Sequence, residues 1–376
     1  MKLEKRQLIT VIIVIVFLFF FAPGVSVFGG DLDLDEGVEA LKEAQTEFDD
    51  ISTEGVDDEW EAFKSEKGIV EGPNKGGKFF ISSGKATVLA DYGKPGWINS
   101  RSIAFEKAEL EAKANMVKSI KTQIMSSRGL EEIEGDLPND MKQDLKQVKG
   151  GGKIASQAKF QMQTTAVARK LVRGMSVYKT FESGDSSGYE FLVAMVWSPR
   201  LATLASGIQS NNGYSMPLGK AKKTLQNIIP KDKKKLLQEF GAKIYLNDKG
   251  ERVIIAYAQA EPRILSKKRT KQAINIASKK AVLKAQTAIK NFIAEEIAAQ
   301  QSGTSGESLT VFENGEEKYF QSEAFANAVK SVASKINITG LSTYRKWATR
   351  HPLTGQPVAG AIVVWTPEQF RFGVNQ

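Results

Sequence analysis

Two stretches of the chain place apolar or small residues at every fourth position. Ala108, Ala112, Met116, Ile120 and Ile124 form one series; Ala273, Ala277, Ala281, Ala285, Ile289 and Ile293 form the other. That spacing keeps one side of a helix apolar, and the Lys and Glu between leave the opposite side to water. Each series therefore predicts a long helix whose small residues admit close approach to a sheet. A strand pattern precedes each: Ala86–Tyr92 and Val253–Tyr257 are β-branched or aromatic and bounded by turn formers. After each helix come a variable middle (126–152 and 301–315), a second predicted helix (154–172 and 322–336) and a β-hairpin. Within the first hairpin, Tyr189–Trp197 is apolar on both faces after Glu190, the pattern of a central strand covered on each side. Its partner Met175–Phe181 alternates. The connecting segments Glu182–Gly188 and Thr349–Gln356 are polar, and Pro199 and Pro367 are expected to end the strands because proline has no N–H for the ladder.

The hairpins also spell the same words. Gly174-Met-Ser-Val-Tyr-Lys leads to Val196-Trp-Ser-Pro199, and Gly340-Leu-Ser-Thr-Tyr-Arg leads to Val364-Trp-Thr-Pro367. A slide of 165 residues aligns Tyr92 with Tyr257, Ala108 with Ala273, Ala112 with Ala277 and Thr122 with Thr287; Gly174 meets Gly340 at 166 and Trp197 meets Trp365 at 168. The expected fold is α+β: two tandem repeats, each a small antiparallel or mixed sheet packed with a long Ala-striped helix and a second helix. The first repeat is assigned to residues 78–205 and the second to 241–376. A basic linker over 206–240, with a short amphipathic helix around Lys231–Leu237, would leave the repeats as separate lobes.

Charge adds what periodicity does not. Residues 31–67 hold fifteen Asp or Glu against three Lys, in a chain of formal net charge +9. An acidic, partly helical leader and linker (31–77) thus precedes a basic body, with Val38, Leu41, Phe48 and Ile51 near helical spacing and the Gly-rich Glu71–Gly77 as the joint. Structure proper is expected to begin near Phe79. Opposite charges of this size predict that the leader either lies on the body or is displaced by a partner. Ahead of it, Lys2, Lys5 and Arg6, the apolar run Leu8–Ala22, Pro23-Gly24 and the small Gly29-Gly30 follow the plan of a secretory signal peptide. Residues 1–30 are expected to be cleaved near Gly29 or Gly30, or else kept as an N-terminal membrane anchor, the one membrane contact foreseen. Either outcome exports the body to the periplasm or beyond.

The catalytic vocabulary is narrow. With no cysteine and one histidine, His351, thiolate catalysis, Cys-ligated metals and multi-histidine sites are excluded. His351 lies in a polar hairpin segment and is expected at the surface. Lys149-Gly-Gly-Gly-Lys153 lacks the phosphate-loop pattern and reads as a flexible joint. Trp197, Trp365, Tyr178 and Tyr344 are expected to pack rather than stack on a ligand. The clusters Lys220–Lys223, Lys231–Lys235, Lys267–Arg269 and Lys279–Lys280 suit an acidic envelope component or protein. Nucleic acid is disfavoured because no aromatic residues interleave with these lysines. No catalytic, cofactor-binding or metal residue is assigned.

The order strand, Ala-striped helix, variable middle, second helix and hairpin, carried by Ala108, Ala112, Gly174, Val177, Tyr178 and Tyr189–Trp197 and their second-copy counterparts, resembles the N-terminal domain of FlgT, the flagellar ring protein. It is similar also to small LPP-type outer-membrane lipoproteins. The resemblance implies an envelope-facing, non-enzymatic domain used in assembly. This chain departs from it by duplication, by the acidic leader and by lacking a lipobox cysteine. The expected function is accordingly binding or scaffolding in the bacterial cell envelope, with exposed sheet edges open to homo-oligomer formation. The alternative is a carboxylate-dependent hydrolase of an envelope polysaccharide.

Overall fold

A computed structural model describes residues 55–125, 142–143, 146, 173–210, 218–264, 266–304 and 338–374. The signal segment, most of the leader, the Lys149–Lys153 joint and both second helices lie outside the described residues. The elements are α1 (Val56–Lys67), β1 (Gly72–Asn74), β2 (Phe79–Thr87), α2 (Trp97–Met125), β3 (Ser176–Asp185), β4 (Gly188–Trp197), α3 (Pro199–Ser210), the short α4 (Leu225–Ile228) and α5 (Lys233–Leu237), β5 (Gly241–Leu246), β6 (Arg252–Ala260), α6 (Thr270–Thr304), β7 (Leu341–Arg350), β8 (Pro357–Trp365) and α7 (Pro367–Val374). The protein is α+β, with two four-stranded antiparallel sheets of the same topology, β1-β2-β4-β3 and β5-β6-β8-β7.

The repeated words have one structural meaning. Gly174 and Gly340 have φ of +84° and +88°, and an added Cβ would lie 2.4 Å from Leu201 O and 2.8 Å from Phe370 N. Only glycine tolerates both the left-handed backbone and that approach to the helix after the hairpin. The tyrosine of each word sits at a bulge, between Val177 and Lys179 in one copy and between Thr343 and Arg345 in the other. Trp197 and Trp365 are fully buried, and each indole N–H donates to the carbonyl just before the glycine, Arg173 O and Thr339 O, both at 3.1 Å. Ser198 and Thr366 accept from Leu201 N and Gln369 N at 3.3 Å, capping α3 and α7. Pro199 and Pro367 therefore do more than stop strands: each is the first residue of a helix, where its missing N–H costs nothing.

Register corrects the ungapped alignment. Phe80 faces Trp197 and Ile254 faces Trp365, so Phe80 and Ile254 are equivalent, and Tyr92 and Tyr257 are not. Tyr92 lies past the end of β2 and packs on Trp97, whereas Tyr257 is inside β6. On the helices an offset wrong by a multiple of four still sets small or apolar residues on one another, so the stripes alone do not fix the register.

The strand leading to the first long helix is β2, Phe79–Thr87, earlier than the expected Ala86–Tyr92, and the Glu71–Gly77 joint contains β1, with Asn74 held by Val70 and Gly72. The packed fold also takes in a segment before β1, because α1 lays Val56 and Trp60 on Ile81, Phe181, Leu192 and Ala194. Between β3 and β4 the ladder runs to Asp185 and Gly188, so their turn is shorter than the expected loop.

Each sheet is buried on both faces. In the first repeat α2 packs on one face, with Ala108, Ala112 and Met116 against Phe80, Phe191 and Val193, and α1 covers the other. In the second, α6 takes the corresponding face, with Ala285 and Ile289 against Ile254, Ala256 and Trp365. The face left over, carrying Val253, Ile255, Ile362 and Val364, packs in one core with Trp97, Phe105, Leu236, Leu237 and Phe240. The first repeat and the connector thus do for the second sheet what α1 does for the first. The repeats are not separate lobes: Ile229, Leu236, Leu237 and Phe240 of the 206–240 segment belong to their shared core, and Ile208 packs with the second sheet.

Candidate functional site: a cationic groove along an edge strand

The connector builds the site. Asp232 caps α5 by accepting from Lys234 N at 2.9 Å, which turns Leu236 and Leu237 into the core and leaves the neighbouring lysines outward. Upstream, residues 218–224 are tied across the end of the β5–β6 hairpin: Gly219 N donates to Gly250 O at 2.7 Å and Lys222 N to Asn247 O at 3.0 Å. The hairpin turn is itself fixed by Asn247, whose Oδ1 accepts from Lys249 N and Glu251 N. Between this strap and β5 runs a groove of about 770 Å³. Its apolar lining is Ile228, Ile244, Tyr245 and Leu246; its cations are Lys222, Lys223 and Arg252.

Ile244, Tyr245 and Leu246 are consecutive, and consecutive strand residues point to opposite faces. All three can line one groove only if it follows the edge of the strand. Two hydrogen bonds set the polarity of that edge. Ser176 Oγ reaches Ala242 O at 3.1 Å from outside the sheet, while Asn247 N donates inward to Glu251 O at 2.9 Å. In an antiparallel ladder the outward groups recur every second residue, so Ile244 and Leu246 turn their N–H and C=O toward the groove. Burial, then Glu239, raises the Tyr245 phenol well above its ordinary range, so it is neutral at physiological pH. Neither the Lys222 nor the Lys223 ammonium meets a carboxylate among the described residues. The arrangement can take up an anionic group beside an apolar one and pair with an extended backbone.

Of the four lysine clusters, the structure brings Lys222 and Lys223 together with Arg252. Lys231–Lys235, Lys267–Arg269 and Lys279–Lys280 lie on other elements and do not line this groove. Trp197 and Trp365 are packing residues, as expected. Tyr178 is on the β3 edge, partly exposed and edge-on to Phe63 at 5.9 Å, and Tyr344 is half-buried.

His351 departs from expectation. It is 1% exposed, its ring 4.7 Å from Trp97 and 6.4 Å from Tyr189, and neither ring nitrogen has a hydrogen-bond partner among the described residues. Burial, and then the Arg101 charge, holds its pKa well below the usual imidazole range. The segment from His351 to Gln356 is polar, but it folds onto the first repeat, where Gln356 Nε2 donates to Gly93 O at 2.5 Å.

Beside His351 lies a buried junction that periodicity did not single out. Arg101, fully buried, makes two hydrogen bonds of 2.5 Å to Glu182, one of 2.8 Å to Gln259 Oε1 and one of 2.6 Å to Leu237 O. It also stacks over Phe240, 4.8 Å from the ring centre. A signal was present: Arg101 falls on the apolar stripe of α2, four residues from both Trp97 and Phe105. Two carboxylates buried among the described residues are arginine-held, Glu182 by Arg101 and Glu251 by Arg371 at 2.8 Å. For Glu251 the cost of burial is outweighed by the Arg371 and Asn247 hydrogen bonds, and its pKa is lowered. Among the described residues no group of three or more His, Cys, Asp or Glu is placed to hold a metal, and no helix is long and apolar enough to cross a membrane.

No family model matches the sequence, and no curated protein matches it. Among solved structures, a 2.3 Å crystal structure of a hypothetical protein from Francisella tularensis matches with a TM-score of 0.57, over 88% of this chain and 99% of that one. At 16% identity this likeness is one of fold, and it extends through both repeats.

Proposed function

We propose that the protein is a non-enzymatic binding or scaffolding component of the bacterial cell envelope, exported through its N-terminal segment, that recognises an acidic envelope component or protein. The observation that carries this reading is the groove beside β5, where Lys222, Lys223 and Arg252 border an apolar lining and an open strand edge. Cations held beside apolar surface select anionic ligands that also bring apolar groups, and a free edge adds backbone pairing. The export plan of residues 1–30 and the resemblance to envelope domains support the location.

Crosslinking the tagged chain in cells, after fractionation, tests this. The expected result is recovery with the envelope fraction and a specific acidic partner whose yield falls at least about tenfold in Lys222→Glu/Lys223→Glu, a reversal that replaces attraction by repulsion. Recovery from the cytosol, or a partner indifferent to the reversal, would sink the reading.

A further inference from the structure

The leader contains a segment whose residue pattern complements this groove. Asp31-Leu-Asp-Leu-Asp35 alternates acidic and apolar residues, a period of two inside a leader otherwise read by helical spacing. In an extended conformation Leu32 and Leu34 point to one side and the three aspartates to the other. The groove offers the complement, an apolar lining, three cations and the outward N–H and C=O of Ile244 and Leu246. It also has the right length. Toward its start β5 is taken up by the first repeat, since Ser176 Oγ bonds Ala242 O and a Cβ on Gly241 would meet Val177 at 2.6 Å. Only the Ile244–Leu246 end is open, enough for a strand of a few residues.

We propose that Asp31–Asp35 of the same chain adds to β5 as a short fifth strand, so that the protein occupies its own groove until an acidic partner displaces the leader. Reach permits it. Twenty residues separate Asp35 from Val56, where α1 fixes the chain to the first sheet. Extended, they span roughly 65 Å, against a radius of gyration of about 21 Å for a compact chain of this length. The tether also makes the contact intramolecular, so a weak strand addition is held by effective concentration rather than by intrinsic affinity. The proposal rests on the groove being a site for acidic ligands, and the test separates the two.

Residue-resolved amide exchange on the full-length chain reads the pairing directly. The outward amides of Ile244 and Leu246 are expected to be protected, and charge reversal of the leader (Asp31→Lys/Asp33→Lys/Asp35→Lys) to speed their exchange by about tenfold or more. The Tyr245 amide, which faces β6, serves as the internal control and should not change. A synthetic peptide of residues 31–36 should restore protection to the leader variant, and the same peptide N-methylated on its backbone should not. Lys222→Glu/Lys223→Glu in the otherwise native chain should mimic the leader variant. Rapid exchange at Ile244 and Leu246 in the native chain, or protection that survives leader reversal, would overturn the proposal. Protection lost on dilution, together with a change from dimer to monomer, would assign the added strand to a second copy and overturn the intrachain form. If these arms fail while the crosslinked partner remains sensitive to Lys222→Glu/Lys223→Glu, the groove reading stands and only the occupant is wrong.

Discussion

Among the described residues nothing compensates protonation of His351. The groups facing the ring are Trp97 and Tyr189, with the Arg101 cation near enough to oppose a second positive charge, and both nitrogens lack acceptors among the described residues. The sign of the linkage follows. Well above a pH of about 6.5 the imidazole is neutral in folded and unfolded chains alike, so it adds no pH dependence. Below that, the unfolded chain binds a proton the folded chain refuses, and stability falls until the depressed folded value is reached. The slope from this one group cannot exceed about 1.4 kcal/mol per pH unit. His351→Phe, which keeps a ring against Trp97, should leave stability at pH 7 within about 1 kcal/mol and flatten its decline between pH 7 and pH 5. Urea denaturation at the two pH values measures both, and an unchanged acid slope would mean that the ring titrates freely.

α1 behaves as part of the fold rather than as a solvated appendage. Trp60 is 3% exposed, its ring 5.8 Å from Phe181, and its indole N–H donates to Glu71 at 2.9 Å. Trp60→Ala should therefore cost about 3 to 5 kcal/mol and uncover the outer face of the first sheet to an apolar dye. A loss below about 0.5 kcal/mol, the range of surface substitutions, would return α1 to the status of a mere extension. The same element shows how far the sequence could be read. The Ala-striped helices were legible because a long run repeats its period, β4 because an unbroken apolar run of strand length ends just before Ser-Pro, and the paired tryptophan words because Gly, Trp and Pro each answer a structural demand. β1 and β5 were not. A three-residue Gly-Pro-Asn strand has no period to detect, and Gly241–Leu246, at the very start of the second repeat, follows a lysine-rich connector without a strand signal of its own, so the edge that makes the groove was not foreseen. His351 was misread for another reason: its neighbours in sequence are polar, while Trp97, which covers it, belongs to the other repeat.

The two repeats make one molecule through polar as well as apolar contacts, and this determines how it should fail. Glu261, just past β6, accepts from Gly96 N at 2.8 Å and Asn99 N at 3.4 Å, so the second repeat places a carboxylate at the positive end of the first repeat's helix. Arg101 ties Glu182 of the first sheet to Gln259 of the second and to the Leu237 carbonyl of the connector. A buried ion pair is poor evidence of net stabilisation, because desolvation offsets much of the attraction. Removing one partner is a different matter, since it strands a buried charge. Arg101→Met should cost about 3 to 5 kcal/mol by leaving Glu182 unpaired, and Arg101→Met/Glu182→Leu should recover much of that loss. If the junction couples the halves, the native chain should unfold in one transition and the single variant in two, because the shared core around Phe105, Phe240 and Ile255 is anchored at this point. The double variant restores neutrality but not the bridge to Gln259. Calorimetry that finds a single transition in Arg101→Met, merely shifted, would show that apolar packing alone unites the repeats.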